Sequence, residues 1–237
     1  MIDRLRAFLG KPHVLDSGVS LYSPTIDEIA EIGEIEYSIR ISLSSFNPSK
    51  IFKLFNIDTD TLGEFQNAND YEIITNSHPI IINHICESLE LFTKETVTYQ
   101  SGSFVCDGKM FIDKYTYEEV VSLIYELNGI KNEKESLKFK GKKAKELFEK
   151  MNNILKQQQE KKTDSGLEIK DVLSILSNAD GNGINVFNVS QLTIYQMYEH
   201  FERLNIKEEN RKFLPVWANG HLKDPKDFPE WIIKTKL

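Results

Sequence analysis

HPIIINHICESLELF, His78 to Phe92, is followed shortly by TVTYQ, Thr96 to Gln100, and then by SFVCDGKMFI, Ser103 to Ile112. The first stretch is written at helical period. Pro79 takes a first-turn position, where its missing N–H costs nothing. Ile81, Ile82, Ile85, Leu89 and Phe92 make a stripe spaced for one buried helix face. The next two stretches read as strands. Asp107-Gly108 between SFVC and KMFI is a two-residue hairpin signal, because a type I′ turn needs positive φ at both central residues. A long buried helix feeding a small antiparallel hairpin puts the chain in the α+β class.

Working outward toward the N-terminus, VSLYS (residues 19–23) is extended and stopped by Pro24. Thr25 and Glu28 form a capping box that opens a helix. Its apolar face is Ile26, Ile29, Ala30, Ile32 and Ile35, and its polar face, Asp27, Glu28, Glu31, Glu34 and Glu36, is wholly acidic. Gly33 inside this helix costs up to about 1 kcal/mol relative to Ala, which suggests a close packing neighbour. Another helix follows Pro48, with Ile51, Leu54 and Phe55 facing inward. On the other side of the hairpin, Thr116 and Glu119 read as a second capping box. Val120, Val121, Leu123, Ile124 and Leu127 then carry a helix to Gly129.

The composition changes at Lys131. Residues 131–162 hold 11 Lys and 5 Glu, a local +6 within a chain of net −7, so the remainder carries −13. Ala144, Phe148, Met151 and Leu155 share one face of a basic helix there, a candidate for self-association, and the run decays into the linker-like QQQEKKTDSG. A boundary near 163–166 leads to a further helix with Ile169, Val172, Leu173 and Leu176 at i, i+3, i+4 and i+7. SQLTIYQMYEHFERL follows, with Leu192, Tyr195, Tyr198, Phe201 and Leu204 as its stripe and Ser190 or Asn188 as its cap. The expected organisation is mostly helical α+β. Helices surround a small antiparallel hairpin or sheet in 1–129, a lysine-rich helix and linker fill 130–166, and a small helical C-terminal unit with an aromatic tail spans 167–237.

Composition limits the function classes. No apolar run reaches the ~20 residues of a membrane span, and the start MIDRLRAFLGKPH is no secretory signal. Cys86 and Cys106 lie in apolar surroundings without metal-type spacing and read as buried free thiols of a reducing compartment. The localisation expected is the cytoplasm. Positive charge confined to one segment with few aromatics is a solvated helix rather than a nucleic-acid reader.

Two stretches imitate metal sites. SNADGNGINVFN, Ser177 to Asn188, has the rhythm of a calcium loop, but position 12 counted from Asn178 is Val189 where a bidentate Glu belongs. It reads as a turn in which Asp180-Gly181 and Asn182-Gly183 tolerate positive φ. His78, His84 and Cys86 are close in sequence, yet His84 and Cys86 stand about 200° apart around a helix, and His78 reads as a cap for the turn. No nucleophile elbow, zinc-protease or phosphate-loop sequence is present, so no catalytic residue, metal site or cofactor is expected. The tail FLPVWANGHLKDPKDFPEWIIKTKL sets large apolar residues among prolines. Either it folds back over the 167–204 helices, or it presents an aromatic anchor to a partner, a role that favours Trp. The residues expected to bind a partner are Trp217, Phe228 and Trp231, and secondarily the acidic Glu28, Glu31 and Glu34.

INVFNVSQ followed by LTIYQMYEHFERL, residues 184–204, resembles the C-terminal signature of proteins from the tail gene modules of bacteriophages of Gram-positive bacteria. YSPTIDEIAEIGEIEY is similar to that family's proline-preceded entry helix, FVCDGKMFIDKYTYEEVVSLI to its hairpin and following helix, and KKAKELFEKM to its lysine-rich helix. The resemblance implies a tail assembly chaperone that keeps the tape-measure protein soluble while tail-tube subunits polymerise around it. It implies these two proteins as partners, with no nucleic acid and no membrane, in the cytoplasm of the infected host or in the virion. The alternatives are a permanent component of the tail, neck or baseplate, and a host-directed phage regulator. FLPVWANGHLKDPKDFPEWIIKTKL lies outside the resemblance.

Overall fold

In the computed structural model, which describes residues 1–57, 68–130, 167–221, 224 and 228–237, the stretch from His78 onward forms the spine of the molecule. Helix α6, Pro79–Thr93, is the sixth in chain order, after α1 (Arg4–Phe8), α2 (Ile26–Ile32), α3 (Glu34–Leu43), α4 (Pro48–Leu54) and α5 (Asp70–Thr75). His78 is its N-cap, and the ring Nδ1 accepts the Ile80 N–H at 3.2 Å. Ile81, Ile85, Leu89 and Phe92 are buried. Strands β1 (His13–Val14) and β2 (Ser20–Leu21) form a separate antiparallel pair. Strands β3 (Val97–Gln100), β4 (Ser103–Cys106) and β5 (Lys109–Ile112) follow α6 as an antiparallel meander.

Asp107 and Gly108 take φ of +49° and +71°, as the hairpin reading requires. Ser101-Gly102 makes the same kind of turn between β3 and β4, with φ of +50° and +83°. Val97 pairs with Cys106 and Gln100 with Ser103, and the pairing of β4 with β5 carries a register shift at Phe104/Val105. Helix α7 is Tyr117–Leu127. The aromatic rings of Phe46, Tyr71, Phe104 and Tyr117 meet at centroid distances of 5.5–6.2 Å in the core that α4 to α7 and the meander share. The fold among the described residues is mostly helical α+β, with a two-stranded and a three-stranded antiparallel sheet.

Several local expectations are corrected. Gly33 is no packing contact inside one helix. Its φ of +87° ends α2 and starts α3, and a Cβ placed there would meet nothing within 4 Å. The break resets the helical phase, so Ile35 is 81% exposed; Ala30, within α2 itself, is exposed as well rather than part of the apolar face. On α4 the inward residues are Ile51 and Phe52, while Leu54 is exposed. Thr116 makes no side-chain cap. Asp113 takes that part, accepting the N–H groups of Tyr115 and Thr116 at 2.8 and 2.9 Å, while Thr116 Oγ1 accepts from Asp113 N in return. The Thr25–Glu28 box forms as expected, with Glu28 N donating to Thr25 Oγ1 at 3.2 Å and Thr25 N to Glu28 Oε2 at 2.8 Å.

Helix α8, Ile169–Asn178, and helix α9, Ile194–Ala218, complete the helices among the described residues, with a 3-10 turn at Val189–Gln191 between them. The cap of α9 is neither Ser190 nor Asn188. Thr193 and Gln196 form the capping box, with Gln196 N donating to Thr193 Oγ1 at 3.2 Å and Thr193 N to Gln196 Oε1 at 2.8 Å. The N-caps of α2 and α9 lie side by side. Ile26 N donates to Leu192 O and Ile194 N to Pro24 O, both at 2.8 Å, so one antiparallel bridge starts both helices.

A second core follows from that bridge. Ile26, Ile29 and Tyr37 pack with Val172, Leu176, Ile184, Val189, Ile194 and Met197, while Tyr195 turns into the first core. The Tyr37 hydroxyl donates to Asn128 Oδ1 at 2.8 Å, and both groups are buried. Gly129, at φ +67°, lets the end of α7 approach α9 so closely that a Cβ there would lie 2.7 Å from Tyr198 Cδ2. The face proposed for Ala144, Phe148, Met151 and Leu155 lies outside the described residues.

Candidate functional site

Helix α9 is the element that builds the candidate surface. Its 25 residues rise about 37 Å, and only the first part is held between the two cores. Every residue from Arg211 to Gly220 is exposed. The helix runs through Pro215 to Ala218. Proline removes one N–H and crowds the preceding turn, a cost met on a helix end that packs against little. Phe213, Leu214, Val216 and Trp217 are therefore apolar side chains on a projecting helix end, with Trp217 51% exposed.

The C-terminal segment returns along this helix. Trp217 and Phe228 place their rings 5.7 Å apart. Asn210 Nδ2 donates to Pro229 O at 2.6 Å, and one Arg203 guanidinium nitrogen donates to the carbonyls of Trp231 (3.1 Å) and Ile233 (2.7 Å). Lys236 N donates to Glu202 Oε1 at 2.8 Å. Thr235 is buried at the end of the strap. Its hydroxyl donates to Glu199 Oε1 and accepts from Arg4, each at 2.7 Å, and Arg4 also reaches the Thr235 carbonyl at 3.1 Å. Leu237 packs on the first core.

The tail thus folds back, and it does so by giving its backbone carbonyls to α9 side chains. Its large side chains remain partly in water: Trp231 is 45% and Ile232 is 79% exposed, while Phe228 is half-buried. The outcome is an apolar band on a frame fixed at both ends. Such exposed apolar area, on a helix end that also carries the charged Arg211 and Lys212, is the usual mark of a protein contact. Phe213, Leu214 and Val216, beyond the stripe read as far as Leu204, are not among the residues expected from sequence. Their helical spacing to Trp217 and Asn210 was the available signal. Arg203 and Asn210 carried none, since their partners lie 19 to 30 residues away.

The acidic candidates occupy different elements, α2 and α3. Burial alone pushes the Glu28 carboxyl up, but hydrogen bonds from Lys94 and from the Thr25 backbone hold it below the usual carboxylate range. Glu28 is therefore spent on its cap and on the Lys94 ion pair. Glu31 is exposed, and Glu34 Oε1 accepts the Ile169 N–H at 3.3 Å, tying α3 to the start of α8. The structure brings Trp217 and Phe228 together and sets Trp231 on the same helix. It leaves the three glutamates as a separate group.

The chemistry elsewhere is structural. The Asn182 amide donates to Leu176 O at 2.8 Å and accepts the Ile184 N–H at 2.9 Å, so the asparagines of the calcium-like run close the end of α8. Gly181 and Gly183 take the positive φ expected of them. His84 is exposed while Cys86 is buried, on different sides of α6. Burial, then Glu90 and Glu87, push the Cys86 thiol up to about 11, and burial raises Cys106 as well, which leaves both as poor nucleophiles. Among the described residues no group of three or more His, Cys, Asp or Glu could hold a metal ion. No helix among them is long and apolar enough to cross a membrane.

The sequence model of a phage-derived family, described as YomV second domain, matches residues 156–236. The match takes in α8, α9 and almost the whole returning tail, so the band lies within it. It is consistent with a phage protein of Gram-positive bacteria. No curated protein and no solved structure matches the chain.

Proposed function

We propose that the chain is a non-enzymatic phage protein that acts by protein binding in tail assembly, as a chaperone for the tape-measure and tail-tube proteins. The observation that carries this reading is the apolar band of Phe213, Leu214, Val216, Trp217 and Trp231, left in water within the segment matched by a phage-derived family. A long helical tape-measure protein presents amphipathic faces before the tube encloses it. A partly covered apolar band offers such faces contact area without a deep, selective pocket, which suits a holder that must later let go. The raised thiols and the asparagines engaged in their own turn favour binding over chemistry.

The test is mass spectrometry of finished virions beside infected-cell lysate. A chaperone is abundant in the lysate and absent from the particle. Stoichiometric presence in the particle replaces this reading with a permanent tail, neck or baseplate component. A phage deleted for the chain that still makes normal tails points instead to a host-directed regulator.

A further inference from the structure

On the α3 side of the molecule is an open groove of about 480 Å³, lined by Glu34, Ile35, Ser38, Ile39, Ser42, Leu54 and Glu168. Ile35, Ser38, Ile39 and Ser42 fall at i, i+3, i+4 and i+7, so a single face of α3 forms its floor. Ile35, just after the Gly33 break, lies outside both cores, while Ile39 on the same face is half-buried against the first core. The two serines are satisfied internally: Ser38 Oγ donates to Glu34 O and Ser42 Oγ to Ser38 O, each at 2.9 Å. They are small, need no further partner, and leave room for another backbone to approach. Among the described residues, the charged members of the lining are the carboxylates Glu34 and Glu168. Arg40, the cation of this helix, is held by Glu36 at 3.0 Å and by the Glu87 carbonyl at 3.2 Å.

We infer that this groove docks a lysine-rich amphipathic helix of a partner protein. A floor about 10 Å long from Ile35 to Ser42, with Ile35 and Ile39 as its apolar positions, takes two turns of apolar side chains at i, i+3, i+4 and i+7. The glutamates at its rim select basic flanks and repel acidic ones. The surface is separate from the band on α9 and does not depend on a role in tail assembly.

The test uses the full chain and a synthetic helical peptide of about 18 residues with leucine on one face and lysine on the other, labelled for fluorescence anisotropy. A peptide with glutamate in place of lysine is the control. Two variants carry the same charge change at exposed apolar sites. Ile35→Lys lies in the groove, while Phe187→Lys, at a residue 90% exposed, lies outside its lining. Both are expected to keep the parent melting temperature. The expected result is binding of the basic peptide only, weakened about tenfold or more by Ile35→Lys and unchanged by Phe187→Lys. Equal weakening by both variants would reduce the effect to diffuse attraction by an acidic protein and overturn the inference. So would no effect of either, or equal binding of the acidic peptide. A virion result that removes the chaperone reading leaves this outcome untouched.

Discussion

Gly129→Ala is the substitution that most sharply tests how α7 and α9 meet. Gly129 sits at φ +67°, where a Cβ costs roughly 1–2 kcal/mol in left-handed backbone. The added methyl would also lie 2.7 Å from Tyr198 Cδ2, 3.2 Å from Cγ and 3.3 Å from Cβ. Of these atoms Cβ is fixed by the backbone of α9, so a rotamer change that moves Cγ and Cδ2 still leaves a tight contact. Overpacking of this kind costs about 1–3 kcal/mol, against a gain of roughly 0.4–1 kcal/mol from a stiffer unfolded chain. A net loss of about 2–3 kcal/mol follows, measured by urea denaturation. Tyr198→Ala removes Cδ2 and Cγ but keeps Cβ, so in that background Gly129→Ala should cost only about 1 kcal/mol, a coupling of about 1–2 kcal/mol. A strictly additive double variant, or a Gly129→Ala loss within about 0.5 kcal/mol, would refute the close approach of the two helices.

Other outcomes follow from single contacts. Tyr37→Phe strands the buried Asn128 Oδ1 and should cost about 1–3 kcal/mol in the same denaturation assay, the range for an unsatisfied buried acceptor. Thr193→Ala removes the cap of α9 and should cost about 1 kcal/mol, with Thr193→Ser restoring most of it. Arg4→Ala should release the tail, read as faster amide exchange across residues 229–237 with little change in β3 to β5. Burial, only partly offset by Glu199, holds His200 below its ordinary 6.5. Above 6.5 the ring is neutral in both states. Below it the unfolded chain takes up the proton first, so stability falls with acid until the folded ring is protonated too. Urea midpoints at neutral and mildly acidic pH should therefore differ less in His200→Gln than in the parent.

Legibility in the sequence followed the range of the interaction. Thr25–Glu28, Asp107-Gly108 and the Ile81–Ile85–Leu89–Phe92 stripe were readable because each is fixed within a few residues. Gly33 was visible as an anomaly but not as a break, since both halves keep helical composition and only its positive φ resets the phase. Thr193–Gln196 was missed beside the more conspicuous Asn188 and Ser190. Phe213, Leu214 and Val216 lie beyond the stripe that ends at Leu204, on a helix end that continues through Pro215. The tail candidates Trp217, Phe228 and Trp231 were found by residue type. Their frame was out of reach, because Arg4, Arg203, Asn210 and Glu199 act across long separations that no local pattern records.

The most direct test of the central claim is co-expression with the tape-measure and tail-tube proteins of the same phage. The parent chain should be compared with a Trp217→Glu, Trp231→Glu variant that keeps the parent melting temperature. The parent should co-purify with the tape-measure protein and keep it soluble, and the variant should lose both effects. Failure of the parent to co-purify, or equal recovery by parent and variant, would contradict the claim.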